Sequence, residues 1–571
     1  MRWSVPLLAL VLAWPLAAAA QDQDQQPGAP LRLIVPAPAS PPPAAAPDVP
    51  TGFQATPLPP IDPSWAGALP KGAAALPADM WRGTARATVR ALLPLLDAAE
   101  SPGLNALARR LLLSGAVAPA GDDPAAGPSL LLLRAERLEA LGALVGAKTV
   151  LDAAPADRRS AAADRLRVEL AFAGNDITDA CRRVAAGLVD HPPQQSNVWW
   201  DQANIACQLL AGARDKAALA LDILHDDSAT PDPVFETLIA AASGRAAKLE
   251  AGAALSPLRV TLWAASKRPL SEAAIAGADG ATLAAFAGSP DEPAANRLAA
   301  AERAAALGAW PSDRLAELYL KSAGADADRA KASTDPTAGD TPQGRAVLFA
   351  IAQHEGDAAP RTQALGRWLD AARRHGFYFV AARLAAPIIL AIGPGDAIKG
   401  AVPQFIRALI AADRAKEIEP FLPLADPAAM APLIAIVHAI EGARPDPKTM
   451  AEALAALSLQ ASDTTPRRIG LFLMLATEFR GAVPAPELAA QMATAHQADV
   501  PSAAVWLDAQ QAQAAHRLGE TVLTALALAG SGNRLTGEPI PLQRALAGLR
   551  AAGLEGDART VALEAAIAGG L

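Results

Sequence analysis

Cys181 and Cys207 are the only cysteines in 571 residues, and the chemistry open to such a pair is a disulfide. Each lies twelve or thirteen residues from the middle of the turn that follows His191-Pro192-Pro193. In an antiparallel helical hairpin those positions share one height. A disulfide needs Cα atoms about 4.4 to 6.8 Å apart; if the Cβ vectors diverge, the two are separate buried thiols acting as small hydrophobes. Trp199-Trp200 is the second constellation. Adjacent side chains on a helix point about 100° apart, so both rings are buried only where the helix is covered on two sides. Otherwise one ring lines a groove, where a tryptophan anchors an extended peptide or a glycan.

Reaction centres are harder to find. The seven histidines occur singly, without the i, i+4 pairing and intervening glutamate that a zinc hydrolase sets on one helix face. Gly532 to Gly537 has the spacing of a phosphate loop, but Glu538 stands where the lysine belongs and would repel a phosphate. No Gly-x-Ser-x-Gly elbow occurs. The reading is therefore of a non-enzyme with no cofactor and no metal, although a site assembled from distant residues stays open.

The elements that must position these residues are helices. Of the chain, 52% is hydrophobic, mainly alanine and leucine, and only 4% is aromatic. Ala and Leu head the helix scale, whereas sheets favour β-branched and aromatic residues. Around the cysteines, Asp176 caps a helix whose Ile177, Ala180, Cys181, Val184 and Leu188 share a face. His191-Pro192-Pro193 ends it. Ser196 or Asn197 caps the next, with Trp199, Ala203, Ala206 and Leu210 as its buried stripe. Other helices are expected over 80–99, 102–113, 256–266, 345–374 and 376–392, and a hairpin over 129–155. Phe377, Tyr378 and Phe379 read as core. The break at Leu141-Gly142 recurs at Ala173-Gly174 and Ala211-Gly212, a period typical of stacked helix pairs. AERLEALGAL, from Ala135, also echoes AERAAALGAW, from Ala301, with chance agreement in an alanine-rich chain as the competing account.

The ends and joints differ in composition. Residues 1–20 carry one charge, Arg2, then an apolar run and Ala18-Ala19-Ala20, the pattern of a cleaved secretory signal. The run is too short and too proline-broken to span a bilayer. Residues 21–78 form a polar, proline-rich tether unable to bury enough surface to order itself, with two apolar pieces, 31–35 and 53–65, that could dock. Residues 323–343, rich in Asp, Thr, Gly and Pro, form a loop or seam between helical regions 79–322 and 344–571. The pair 542–552 and 557–568 is expected to cap the stack. Net charge is −8, and −9 once Arg2 leaves with the signal. An acidic chain without a basic stripe is a poor partner for nucleic acid.

Helix, glycine break and helix at a period in the thirties resembles the tetratricopeptide-repeat group over about 129–227, without that group's tryptophan four residues before the glycine. Composition and the ending GLEGDARTVALEAAIAGG resemble alanine-rich exported alphaproteobacterial proteins named antifreeze glycopeptide-like. The tandem Ala-Ala-Thr units of a true antifreeze glycopeptide are lacking, so no ice-binding role is implied. Glu100-Ser101 resembles the opening of the lytic transglycosylase motif, but the Gly-Leu-Met-Gln that should follow is missing. The expected fold is all-α, a superhelical stack of antiparallel helix hairpins after a disordered Pro-rich tail. The expected role is a periplasmic interaction or scaffold protein that binds an envelope protein or glycan, with Cys181–Cys207 as its staple and Trp199 and Trp200 as candidate groove contacts. The alternatives are a glycan-processing envelope enzyme and a self-associating structural protein.

Overall fold

Helix starts follow the caps written in the sequence. Ser101, Ser129, Ser160, Asp176, Asp232 and Asp279 each accept a backbone N–H from three residues on, satisfying one of the donors a helix N-terminus leaves free. The computed structural model describes residues 62–571 except 70–73, 98, 126, 155–159, 192–197, 228–231, 251–252, 325–330, 333, 355, 461, 482–485, 487–501, 532–533 and 536–537. The expected signal segment, most of the tether and the cap at Ser196 or Asn197 lie outside the described residues. Contacts divide the chain into residues 1–60 and a unit of Ile61–Leu571. Among its described residues the regular structure is helical apart from a two-residue ladder pairing Gly530–Ser531 with Arg534–Leu535 and an isolated bridge between Ala85 and Ala120.

Its first helices are α1 (Arg86–Leu92), α2 (Pro102–Leu113), α3 (Leu130–Ala140), α4 (Leu144–Asp152), α5 (Ala161–Ala173), α6 (Ile177–Asp190), α7 (Val198–Leu210) and α8 (Arg214–Asp227). Then come α9 (Pro233–Ala242), α10 (Pro257–Ala265), α11 (Glu272–Ala276), α12 (Gly280–Gly288), α13 (Ala294–Ala306) and α14 (Ser312–Ser322). Beyond the loop follow α15 (Pro342–His354), α16 (Ala358–Arg374), α17 (Tyr378–Ile392), α18 (Val402–Ala411), α19 (Pro427–Ile440), α20 (Pro447–Leu459) and α21 (Thr465–Glu478). The last four are α22 (Ala503–Ala514), α23 (Leu518–Ala529), α24 (Pro539–Ala551) and α25 (Glu555–Ala568). Sequence neighbours such as α3 and α4, α5 and α6, or α7 and α8 pack on one another. The aromatic group Phe377, Tyr378 and Phe379 is buried.

Several expectations need correction. Where one helix was expected over 80–99, turns lead into α1 and a 3-10 turn, Leu93–Leu95, follows. Pro94 removes a backbone donor there. The stretch 345–374 is two helices, broken between His354 and Ala358. The tether ends earlier than 78. Pro63–Trp65 forms a 3-10 turn, Arg86 pairs with Asp62, and buried Arg134 donates to the carbonyls of Ala66 (2.9 Å) and Leu112 (2.6 Å). Part of the 53–65 piece thus docks on the helical body. Helices on the two sides of 323–343 also share a core: α15 packs on α13 and α14, and buried Arg345 meets buried Glu302 through two nitrogens at 2.6 and 2.8 Å.

The last pair does not cap a free end. α25 packs on α2, α18 and α19, and its second half, Val561 to Ile567, is buried while Glu555, Asp557, Arg559 and Thr560 keep partial exposure. Glu564 accepts from the Ser101 hydroxyl and from the Gly103 N–H (3.0 Å), and Arg110 pairs with Asp557 at 2.6 Å. The Glu100-Ser101 pair is accounted for here: Ser101 caps α2 and Glu100 pairs with Arg303 at 2.5 Å.

The two echoing segments meet in space. α3 and α13 end alike, with Gly142 at φ +71° and Gly308 at φ +72°, a left-handed conformation that glycine adopts without strain. Arg109 of α2 donates to both corresponding carbonyls, Leu141 (2.5 Å) and Leu307 (2.6 Å). A guanidinium between two helix C-termini complements both negative dipole ends.

Candidate functional site

The disulfide Cys181–Cys207 joins α6 to α7 with Cα atoms 5.5 Å apart, and both residues are partly buried beside the core. On α7 the two tryptophans part company. Trp200 is 2% exposed and lies against Gly187 of α6, where an added Cβ would come within 2.1 Å of its ring. Trp199 is half-buried, edge-on to Trp200, with the Arg165 guanidinium 4.9 Å above its ring centre. The stripe expected through Trp199 runs instead through Trp200, Ala203, Ala206 and Leu209, one residue round the helix. Coverage on one side by α6 decides which ring is enclosed.

Arg165 links Trp199 to a group of acids on α3, α5 and the start of α12. Burial pushes the Glu139 carboxyl well above the usual range, and the neighbouring charges of Asp279 and Glu169 push it further. Burial likewise raises Asp279, against the hydrogen bonds of Thr282, and Glu169, against the Leu258 N–H at 3.0 Å. It raises Glu136 too, against Arg137 and Arg165. Asp279 nonetheless keeps a solvent-open surface. Asp279 caps α12 beside the end of α3. Gly280 makes this possible, since any Cβ there would sit 2.7 Å from the Ala140 carbonyl; the start of α12 thereby rests on the end of α3. Among the described residues no group of three or more acids, histidines or cysteines is placed to hold a metal ion.

A concavity lies on the other side of α5. It is a cavity of about 530 Å³ lined by Asp152 of α4, Asp164 and Arg167 of α5, and Arg183, Ala186, Gly187, Asp190 and His191 of α6. Buried Arg167 donates to Asp164 (2.8 Å) and to the Leu151 carbonyl (2.6 Å). Asp164 also meets His191 Nε2 at 3.1 Å, and the His191 ring centre is 5.7 Å from that of Trp200.

The tryptophans and cysteines named from sequence therefore fall at the heart of this region. Glu139, Asp279, Arg165 and the cavity residues were not among them. Asp279 had a signal, the Asp-x-x-Thr start of a helix; Glu139 had none, since its neighbours come from α5 and α12. No protein-family model, no curated protein and no solved structure matches the chain. No helix of the described residues is long and apolar enough to cross a membrane.

Proposed function

We propose that the chain is an exported, periplasmic interaction protein whose helices stack as antiparallel hairpins in a tetratricopeptide-like superhelix and hold another envelope component, protein or glycan. The contact region is the surface around Trp199 and Arg165, with the carboxyls of Glu136, Glu139 and Asp279 close by. The observation that carries this reading is Trp199: a half-exposed indole beneath Arg165 and beside buried acids offers stacking and hydrogen bonds at one place. A photo-crosslinking residue at position 199, compared in intact envelope with one at the distant exposed position 459, tests it. A discrete adduct from 199 alone supports the reading. Equal labelling from both positions rejects it.

One observation favours a second reading, a glycan-processing enzyme. Burial and the neighbouring charges of Asp279 and Glu169 raise the Glu139 carboxyl, the direction a general acid needs. Release of soluble fragments from peptidoglycan, abolished by Glu139→Gln, would establish it in place of the binding role.

A further inference from the structure

The cavity between α4, α5 and α6 holds charges that the Trp199 surface does not use. Most of its polar groups are satisfied internally. Arg167 is spent on Asp164 and the Leu151 carbonyl, Asp164 is shared between Arg167 and His191, and Asp152 stands 3.4 Å from Arg167. Two groups are left. Asp190 forms no hydrogen bond or ion pair among the described residues. Arg183 turns its Nε to Asp179 at 2.7 Å, and its two η nitrogens have no partner among the described residues.

These two charges stand in register. Arg183, Ala186, Gly187 and Asp190 follow the i, i+3, i+4, i+7 spacing of one helix face, so the guanidinium and carboxylate anchor points are about 10 Å apart along the axis. Ala186 and Gly187 put almost no bulk between them. At Gly187 the Trp200 ring occupies the side-chain position, so between the two charges only the Ala186 methyl projects from this helix. Asp190 is the last residue of α6, where the negative dipole end also favours a cation.

We infer that this cavity binds a short peptide with both termini free, its carboxylate on Arg183 and its ammonium on Asp190. An extended chain advances about 3.4 Å per residue, so three residues cover the distance between the two anchor points. The cavity's volume lies within the range of ordinary small-ligand sites, and the free Arg183 nitrogens form the fork that a carboxylate meets through two bonds. Neither the Trp199 surface nor its proposed partner enters this inference, so the two fail separately.

Calorimetric titration of the full oxidised chain with trialanine, N-acetyl-trialanine and trialanine amide tests it. Trialanine should bind, and blocking either terminus should weaken binding by about tenfold or more. Asp190→Asn should bind trialanine and the acetylated peptide equally weakly, because it removes the ammonium's partner. Arg183→Gln should do the same for the amide. The inference is overturned if trialanine does not bind at millimolar concentration, or if the blocked peptides bind as well as the free one. It is also overturned if a simple diamine binds as tightly as trialanine. The blocked peptides are read on the unaltered protein, so a variant that folds poorly leaves the test intact.

Discussion

Gly187 is the residue on which the site turns. A glycine inside a helix costs about 1 kcal/mol relative to alanine, so its place in α6 needs a reason, and the Trp200 ring 2.1 Å from where its Cβ would stand supplies one. Forcing a methyl group into that contact costs about 1–3 kcal/mol of overpacking. Gly187→Ala should therefore destabilise the chain despite its better helix propensity, with an altered Trp200 fluorescence. Urea unfolding checks this, and a midpoint at or above that of the unaltered chain would show that the ring has room to move. The cysteines were legible at this scale because the turn between them fixes their heights. The fate of the two tryptophans was not, since adjacent positions carry the same residue and only the direction from which α6 approaches distinguishes them.

At the scale of elements, caps and breaks were readable and joints were not. α2, α9 and α10 begin where Ser101, Asp232 and Ser256 announce them. The loop 323–343 looked like a seam because its composition is that of a linker, yet Glu302, Tyr319 and Arg345 meet across it. The Tyr319 hydroxyl donates to Glu302 at 2.7 Å while Arg345 grips the same carboxylate, and all three are buried. Removing one member of such a pair strands a charge away from water. Arg345→Ala should thus cost about 3–5 kcal/mol, whereas replacing Glu302 and Arg345 together by Leu and Met should cost far less. Chemical denaturation of the two single variants and the double variant gives the coupling; simple additivity would mean that the pair does not join α13 to α15.

Over the whole 61–571 unit, the decisive contacts join its beginning to its end. Burial pushes the Glu564 carboxyl up to about 7, against the donors Ser101 and Gly103, at the junction of α25 with α2. A carboxyl raised in the folded state contributes stability that is full below its unfolded value of about 4.5 and is lost as pH rises through about 7. The melting temperature should accordingly fall between pH 4.5 and 7, by the equivalent of at most about 3 kcal/mol from this group. Glu292, pushed up to about 7 by burial, acts in the same direction. Glu564→Gln should flatten the profile and leave the Glu292 portion. Superimposable melting profiles for variant and unaltered chain would assign the pH dependence elsewhere.

The sequence by itself determined the helical class, many helix starts, the core role of Phe377 to Phe379 and the matching heights of Cys181 and Cys207, whose bond the structure supplies. These follow from propensity, capping and spacing, which act over a few residues or across one turn. Only the tertiary structure decided that Trp200 and not Trp199 is enclosed, that Asp279 comes beside Glu139, and that the echoing ends at Gly142 and Gly308 meet on Arg109. It also decided that α25 is buried against α2. An alanine-rich helix with small side chains on every face offers several faces to its neighbours, so the pattern along such a helix does not say which neighbour it will meet.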